Sequence, residues 1–320
     1  MSEIGFGGWG IGGTIGQAVG YGSTDDGESL AALKRAYEKG VTFYDTADLY
    51  GYGHSERLIG RAFRDVRGKV VIASKGGRTD PNGGQDFSVT HLDRALEGTL
   101  LRLQTDYLDL YQLHDPPLTV LQSCEEPFSF LDRLRRSGRV RAVGISLRSP
   151  EEGAEALKRY GFQSVQSNFS MLDQRVLQNG LLELCRVSGV GFIARTPLCF
   201  GFLTGAVGGD TAFQKGDHRI RWSVEQRTRW AEAARQFFTS LEEVGQTPAQ
   251  MALRFCLSYE GVSAAIPGIL TVGHADENTA ASELGPLREE RRRFIEKAYD
   301  RQEVFLGRGG EGKEQRVLSE

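Results

Sequence analysis

Four polar residues stand at or just after the ends of three successive apolar runs in the first 114 residues of the sequence. Asp45 ends the first of these runs and Tyr50 follows it, Lys75 ends the next run, and His114 ends the third. If these runs are neighbouring parallel strands, their ends meet on one rim of the sheet. The spacing therefore predicts that a carboxylate, a phenol, an ammonium and an imidazole share one site.

These four side-chain types form a coherent system for delivering a proton. A tyrosine hydroxyl can protonate the alkoxide that forms when hydride adds to a carbonyl, although its ordinary pKa is about 10. A neighbouring ammonium favours phenolate, so we expect Lys75 to lower the pKa of Tyr50. We expect Asp45 to keep Lys75 charged, and His114 to donate a hydrogen bond to the substrate oxygen. Any one of these residues alone is more often structural, but their joint placement favours a catalytic site.

The elements that must position these residues alternate between strand and helix along the chain. Continuous apolar runs rich in β-branched residues predict buried parallel strands, at 4–6, 41–45, 70–75, 108–114, 140–146, 164–166, 190–194 and 262–266. Amphipathic segments between them predict helices, at 26–39, 55–63, 90–103, 127–137, 150–160, 181–188, 248–258 and 275–283. Eight such units favour a TIM (β/α)8 barrel over an open doubly wound sheet, with the active site at the C-terminal face of the strands.

The domain organisation follows from the same repeat. We expect residues 1–306 to form one (β/α)8 barrel, and the polar segment 307–320 to be a flexible tail. The Gly-rich, charged segment 205–223 interrupts the unit after the seventh strand. Loops of that length are usually lids or disordered, so we expect it, with Phe200, Phe202 and Trp222, to close over the site.

Composition narrows the functional classes. The chain has 320 residues, a formal net charge of −3 and 39% hydrophobic residues, and it has no apolar stretch of the ~20 residues that span a bilayer. This predicts no nucleic-acid or membrane partner. The first residues lack the pattern of a signal peptide, and the four cysteines lack metal or disulfide spacing, so we expect a soluble cytoplasmic protein with reduced thiols and no metal.

The chain resembles the aldo-keto reductase family. Similar segments are FYDTADLYGYGHSERLIGRAF after the second strand, VVIASKGG, LDLYQLHDP, RVRAVGIS, TPLCFGFLTG and IPGILTVGHADENTAAS. They occur in the family's order from about Gly5 to Glu283. The resemblance implies NAD(P)H-dependent, reversible hydride transfer to a small aldehyde, ketone or sugar carbonyl. It also places the family's catalytic tetrad on the four residues already selected, with Tyr50 as the general acid.

The resemblance further implies an extended nicotinamide dinucleotide, NADP or NAD, bound without a Rossmann motif. Its carboxamide is held by positions that match Ser146 and Gln166, and its pyrophosphate lies along the loop that begins after the seventh strand. Its adenosine phosphate meets the last helix of the barrel, where backbone N–H groups favour anions. The matching cofactor positions are Ser146, Gln166, Arg195, Thr196, Leu198, Gly201, Gly268, His274 and Asn278.

Three positions depart from the family pattern. Leu147 stands where an asparagine usually contacts the carboxamide, and Asn168 is a candidate replacement. Arg195 stands where an aromatic residue often stacks on the nicotinamide; arginine can also stack on a ring or pair with phosphate. Leu270 replaces a basic residue that often holds the 2′-phosphate, which leaves the choice between NADP and NAD open.

The substrate pocket is expected to be lined by Trp9, Tyr50 and His114. Two other functions stay open from the sequence. One is a redox-neutral epimerase or lyase that retains its nicotinamide, and the other is a non-catalytic subunit that senses the nucleotide. The intact tetrad argues against the second of these, whereas Leu147 and Arg195 leave the first open.

Overall fold

The structure, a computed structural model, describes residues 1–16, 20–81, 83–123, 125–239 and 245–306. Eight parallel strands pair strictly in chain order. They are β1 Phe6–Gly7, β2 Phe43–Asp45, β3 Val71–Gly76, β4 Leu108–His114, β5 Val140–Ser146, β6 Ser164–Asn168, β7 Gly191–Arg195 and β8 Val262–Ile266. Gly5 N donates to Ala265 O at 2.8 Å, and Gly7 N donates to Pro267 O at 2.9 Å. These bonds join the first strand segment to the last, so the predicted (β/α)8 barrel is confirmed.

Helices surround the strands. They are α1 Asp26–Glu38, α2 His54–Phe63, α3 Val89–Leu103, α4 Leu118–Ser123, α5 Glu126–Arg136, α6 Gly153–Arg159, α7 Arg175–Gln178, α8 Leu181–Val187, α9 Val224–Thr239, α10 Pro248–Leu257, α11 Val272–Glu283 and α12 Glu289–Asp300. Thr247 and Gln250 form a capping box at α10, with Pro248 as its first residue, so two free N–H groups at that end are satisfied. No helix in the described ranges is long and apolar enough to cross a membrane.

Most predicted elements agree with the structure to within a few residues, and the differences have local causes. The first strand is Phe6–Gly7 rather than 4–6, because Ile4 pairs with β8 through one isolated bridge. The helices at 224–239 and 289–300 were not predicted, since a repeat of one helix per strand has no place for them. The segment 205–223 contains a short 3-10 helix, His218–Arg221. The predicted tail 307–320 lies outside the described residues.

The cysteines form no disulfide in the part of the chain that the structure describes. Cys185, Cys199 and Cys256 are buried free thiols. Burial raises the pKa of Cys199, which therefore keeps its proton at neutral pH. Cys124 lies outside the described residues.

The barrel interior is layered because successive strand residues point to opposite faces of the sheet. One layer is apolar and joins side chains from five strands, namely Phe43, Ala73, Leu110, Ile193, Ala264 and Ile266. Two residues further along the same strands, the inward positions become polar: Asp45 on β2, Lys75 on β3 and Gln112 on β4. The fold thus places a polar layer directly after the apolar layer, at the C-terminal end of the barrel.

Candidate active site

A buried ion pair occupies the centre of the polar layer. The Lys75 ammonium donates to Asp45 Oδ1 at 2.5 Å and to the carbonyl oxygen of Thr46 at 2.8 Å. Asp45 Oδ2 accepts from Gln166 Nε2 at 2.7 Å and from Gln112 Nε2 at 3.2 Å. The side chains of Lys75 and Asp45 are 0% and 3% exposed. The carboxylate therefore has partners on both oxygens, which a buried charge requires.

Tyr50 reaches this pair from the turn that follows β2. Its hydroxyl lies 3.2 Å from the Lys75 ammonium nitrogen. The turn is held by a hydrogen bond from Tyr50 N to Ala47 O at 3.1 Å. Gly51 has a φ of 58°, and a Cβ there would lie well inside contact distance of the Gly12 carbonyl oxygen. Only glycine fits there, so the backbone next to Tyr50 is fixed by close packing.

The pKa of Tyr50 is raised, opposite to the expectation from its lysine neighbour. Burial of the phenol is the largest cause; the Lys75 and Arg195 charges lower the pKa, and the Asp45 charge raises it. Because burial outweighs the two cations, the predicted net lowering is wrong for this structure. Tyr50 consequently holds its proton at neutral pH.

Lys75 and His114 differ in charge: the lysine is protonated and charged, and the histidine is neutral. Burial alone lowers the pKa of Lys75, but the charge of Asp45 and its contacts with Asp45 and Tyr50 raise the net pKa above the ordinary value. Burial lowers the pKa of His114 well below its usual range, and Lys75 lowers it further, while Asp115 opposes the shift. The site therefore combines a charged lysine with a neutral imidazole, whose ring centroid lies 6.0 Å from that of Tyr50.

A cavity of about 310 Å³ opens above the tetrad. Eight predicted site residues line it, namely Trp9, Asp45, Tyr50, His114, Gln166, Arg195, Thr196 and Gly268. Lys75 and Ser146 are fully buried beside it. The other four predicted cofactor residues, Leu198, Gly201, His274 and Asn278, are not among the lining residues.

Arg195 crosses the cavity mouth from β7. Its Nε donates to Asn168 Oδ1 at 2.9 Å, and its Nη1 donates to Ser146 Oγ at 3.4 Å and Asp115 Oδ1 at 3.3 Å. Leu147 is fully buried in the core, and its backbone N–H donates to Gln166 O at 2.8 Å. The side chain at position 147 therefore packs in the core, whereas Asn168 lines the cavity.

His218 also lines the cavity and was not selected from the sequence. Its ring packs edge-on against Trp9 at 4.4 Å and Trp222 at 5.1 Å between centroids. Its Nδ1 lies 3.1 Å from Gly20 O, and its Nε2 is buried without a partner among the described residues. Burial lowers the pKa of His218 to about 4, so the ring is neutral. No local pattern in 205–223 indicates this position, because the long loop reaches the site only through tertiary packing.

The aromatic residues expected over the site divide into two groups. Phe200 and Trp222 line the cavity, with ring centroids 4.4 Å apart. Phe202 is 1% exposed and packs against Trp230. Its expected role in closing the site is therefore wrong, since it belongs to the core. Gln112 is a further residue of the polar layer that was missed; its inward position between Leu110 and His114 on β4 was the available signal.

Comparison with known proteins agrees with this geometry. The Aldo/keto reductase family matches residues 3–300. The aldo-keto reductase YhdN of Bacillus subtilis is 30% identical over 86% of this chain and 83% of its own length. The aldo-keto reductase yakc [NADP(+)] of Schizosaccharomyces pombe is 28% identical over 92% of this chain and 89% of its own.

A solved structure extends the similarity to the whole fold. The holo form of the aldo-keto reductase AKR11C1 from Bacillus halodurans is 28% identical to this chain, with a TM-score of 0.74. The similarity covers 93% of this chain and 92% of that one. The resemblance found in the sequence is thus confirmed over nearly the full length. The chain belongs to the aldo/keto reductase family and is an oxidoreductase.

Proposed function

We propose that this chain is an NAD(P)H-dependent reductase of small aldehydes, ketones or sugar carbonyls, with Tyr50 as the general acid. The observation that carries the proposal is the 3.2 Å contact between the Tyr50 hydroxyl and the Lys75 ammonium beside the cavity. The name of the fission-yeast relative includes NADP(+), which supports a nicotinamide dinucleotide as the cofactor.

The residues around the cavity fit such a cofactor. A Cβ at Gly268 would meet only the Tyr21 ring, at 3.8 Å, so glycine leaves open space in the cavity wall. Thr196, Cys199 and Phe200 all have positive φ, between 43° and 56°. Backbone of this kind forms concavities of N–H groups that bind anions, and its strain is typical of ligand-binding segments. We assign the pyrophosphate to this turn.

The remaining cofactor contacts follow from the same surfaces. Ser146, Gln166 and Asn168 offer hydroxyl and amide groups near Tyr50 for the carboxamide, and Arg195 lies between them. The twelve-residue α11 begins at Val272, and its N-terminus suits the adenosine phosphate. His274 and Asn278 are assigned to this end, although His274 Nδ1 accepts from Leu270 N at 3.4 Å and Asn278 is 2% exposed.

The protein side of the reaction is proton delivery. When bound, the reduced cofactor supplies the hydride that adds to the carbonyl carbon. Tyr50, protonated because its pKa is raised, gives its proton to the carbonyl oxygen, and Lys75 stabilises the phenolate that results. Neutral His114 can donate an N–H to the same oxygen. Asp45 keeps Lys75 charged and in place.

Replacing Tyr50 with phenylalanine tests the assignment. We expect Tyr50→Phe to lower kcat for 4-nitrobenzaldehyde by roughly 10²–10⁴-fold, the usual contribution of general acid catalysis, and to leave cofactor affinity nearly unchanged. Quenching of tryptophan fluorescence on addition of NADPH or NADH measures that affinity, since Trp9 and Trp222 line the cavity. Tyr52→Phe is the matched control, because Tyr52 is 41% exposed. Unchanged turnover by Tyr50→Phe contradicts the proposal.

The same assay separates the two other functions. Steady consumption of NADPH with an aldehyde supports the reductase. Tight retention of the nicotinamide without its net consumption identifies a redox-neutral epimerase or lyase. Nucleotide binding without chemistry on any carbonyl identifies a nucleotide-sensing subunit.

A further inference from the structure

Three arginines surround one buried carboxylate at the cavity mouth. Asp115 follows β4 directly, and its side chain is 6% exposed. Its nearest guanidinium nitrogens belong to Arg195 at 3.3 Å, Arg78 at 3.6 Å and Arg148 at 3.9 Å. Arg78 follows β3 and Arg148 follows β5, so two of the three come from the loops on either side of Asp115. One carboxylate therefore faces three positive charges.

Two of these guanidiniums have unused hydrogen-bonding capacity. At 3.6 and 3.9 Å, Arg78 and Arg148 are too far from Asp115 for hydrogen bonds. Arg78 Nε is buried without a partner, and its Nη2 donates to Pro81 O at 3.3 Å. Arg148 has no hydrogen bond to any residue in the described ranges. Burial lowers the pKa of Arg148, and the charges of Arg78 and Arg195 lower it further, although Asp115 opposes them.

The lining of the whole cavity also has more arginines than carboxylates. It contains four arginines, including Arg221, but only two carboxylates, and Asp45 is already neutralised by Lys75. The two histidines in the lining are neutral, as their lowered pKa values show. The four guanidinium charges thus exceed the one remaining carboxylate charge by three, in a chain whose net charge is −3.

Part of this excess positive charge lies away from the surfaces assigned to the cofactor. Arg221 lies on the long loop and precedes Trp222, whose ring packs against Phe200 of the turn assigned to the pyrophosphate, so its charge suits the cofactor's own phosphates. Arg78 and Arg148 follow β3 and β5, the strands on either side of β4 and His114, where no cofactor phosphate is assigned. The lining near them includes Pro81, while Trp9 and Leu49 give the cavity apolar surface.

We propose that the carbonyl substrate carries an anionic group, a carboxylate or a phosphate, which binds to Arg78 and Arg148. This proposal rests on the proposed function, because it assumes that the carbonyl is placed at Tyr50 and His114. Guanidiniums bind carboxylate and phosphate oxygens with charge-assisted hydrogen bonds, which supply both affinity and orientation. The arginines would then act on substrate affinity, and the tetrad on the chemical step.

Two aldehydes of equal shape and different charge test the proposal. 4-Carboxybenzaldehyde carries a carboxylate where 4-carbamoylbenzaldehyde carries an uncharged amide. The aldehyde that carries the amide is the more electrophilic of the two. We expect the carboxylate to be favoured at least tenfold in kcat/KM, mainly through a lower KM. 4-Formylphenyl phosphate, run in parallel, shows whether phosphate or carboxylate is the preferred anion.

The arginines are tested by single substitutions with a matched control. Arg78→Gln and Arg148→Gln are each expected to reduce the preference for carboxylate over amide by about tenfold, the value of one charge-assisted hydrogen bond. Arg141→Gln is the control, because Arg141 faces Asp109 in the similar Arg67–Asp109–Arg141 cluster near the start of β5, away from the cavity. If Arg78 and Arg148 only neutralise Asp115, both aldehydes slow equally and the preference is unchanged, which overturns the proposal.

A binding measurement makes the outcome independent of turnover. Protein saturated with NADP is titrated with benzoate, benzamide and inorganic phosphate, and tryptophan fluorescence gives each Kd. Benzoate or phosphate binding at least tenfold more tightly than benzamide, with loss of that difference in Arg148→Gln, supports the anion site even where no aldehyde is reduced. In that case the proposed function is the part that fails. Reduction of both aldehydes without a preference for the anion leaves the reductase standing and refutes the anion site.

Discussion

Replacing Lys75 with methionine is expected to destabilise the protein strongly, because it leaves Asp45 as a buried charge without a cation. The ammonium contacts Asp45 Oδ1 at 2.5 Å and Tyr50 Oη at 3.2 Å, and neither member of the ion pair is more than 3% exposed. Removing one partner of a buried ion pair costs about 3–5 kcal/mol. The Gln112 and Gln166 amides stay on Asp45 and place Lys75→Met toward the lower end of that range.

The double variant Lys75→Met/Asp45→Asn should recover most of this loss. At 2.5 Å and an effective dielectric constant of about 20, the attraction between two unit charges is about 7 kcal/mol. Desolvation of two buried ions costs several kcal/mol each, so the pair contributes little net stability and its complete removal is close to neutral. Each single substitution leaves one buried charge unpaired and costs at least about 3 kcal/mol, whereas the double variant is close to neutral, so the two substitutions are expected to be strongly non-additive, with a coupling energy of about 6 kcal/mol.

Urea denaturation at pH 7 of the wild type, Lys75→Met, Asp45→Asn and the double variant measures the coupling energy. The rate of 4-nitrobenzaldehyde reduction is measured for the same four proteins. Stability is expected to recover in the double variant while activity stays low, since the cation beside Tyr50 is still missing. Additive free energies of unfolding would refute the reasoning, because they would mean that Asp45 and Lys75 do not depend on each other. Recovery of activity along with stability would contradict the role of Lys75 beside Tyr50.

Two further predictions follow from charges at the site. In the proposed reaction Tyr50 must be protonated, and burial raises its pKa. As the pH is raised, kcat/KM for reduction should therefore stay constant until the pH passes ~10, the ordinary pKa of tyrosine. A decline of kcat/KM centred near neutral pH would contradict this assignment. Glu28 Oε1 accepts from Val272 N at 3.0 Å at the start of α11, and its charge should repel a 2′-phosphate there. Glu28→Gln is expected to improve the Kd for NADPH relative to NADH by roughly threefold to tenfold at low salt, with a smaller effect at high salt; an unchanged ratio in fluorescence titrations would place the phosphate elsewhere.

The strands and the grouping of the four polar side chains were predictable from the sequence because both depend on local pattern. Continuous apolar runs indicated β4 and β5 with the bounds that the structure has, and the polar residues that end the runs indicated the tetrad. The inward positions also include Gln112, which a stricter use of the two-residue period would have found. What the pattern did not give was the pKa of Tyr50, since the balance between burial and two cations depends on the packed geometry.

Residues that come together from separate loops were the ones the sequence could not place. His218 reaches the cavity through an isolated pairing of Asp217 with Gly20 and Tyr21, almost two hundred positions apart in the chain. The helix 224–239, which follows this loop, lies outside the repeat of one helix per strand. Nothing in the local composition of either segment indicates its neighbours, so such contacts appear only with the tertiary structure.

Under the two proposals, the division between strand ends and loops also separates the chemistry from the choice of substrate. The tetrad lies on the inner face of the barrel and on the tight turn after β2, where a side chain at Gly51 would collide with the backbone, so its geometry tolerates little change. Arg78 and Arg148 lie two residues beyond their strands, in loops that can change without disturbing the barrel. Substituting these two arginines should therefore alter which aldehyde is preferred while the alkaline limit set by Tyr50 stays where it is. A shift of that limit in Arg148→Gln would mean that the two groups are coupled, and that specificity in this protein cannot be changed independently of the acid.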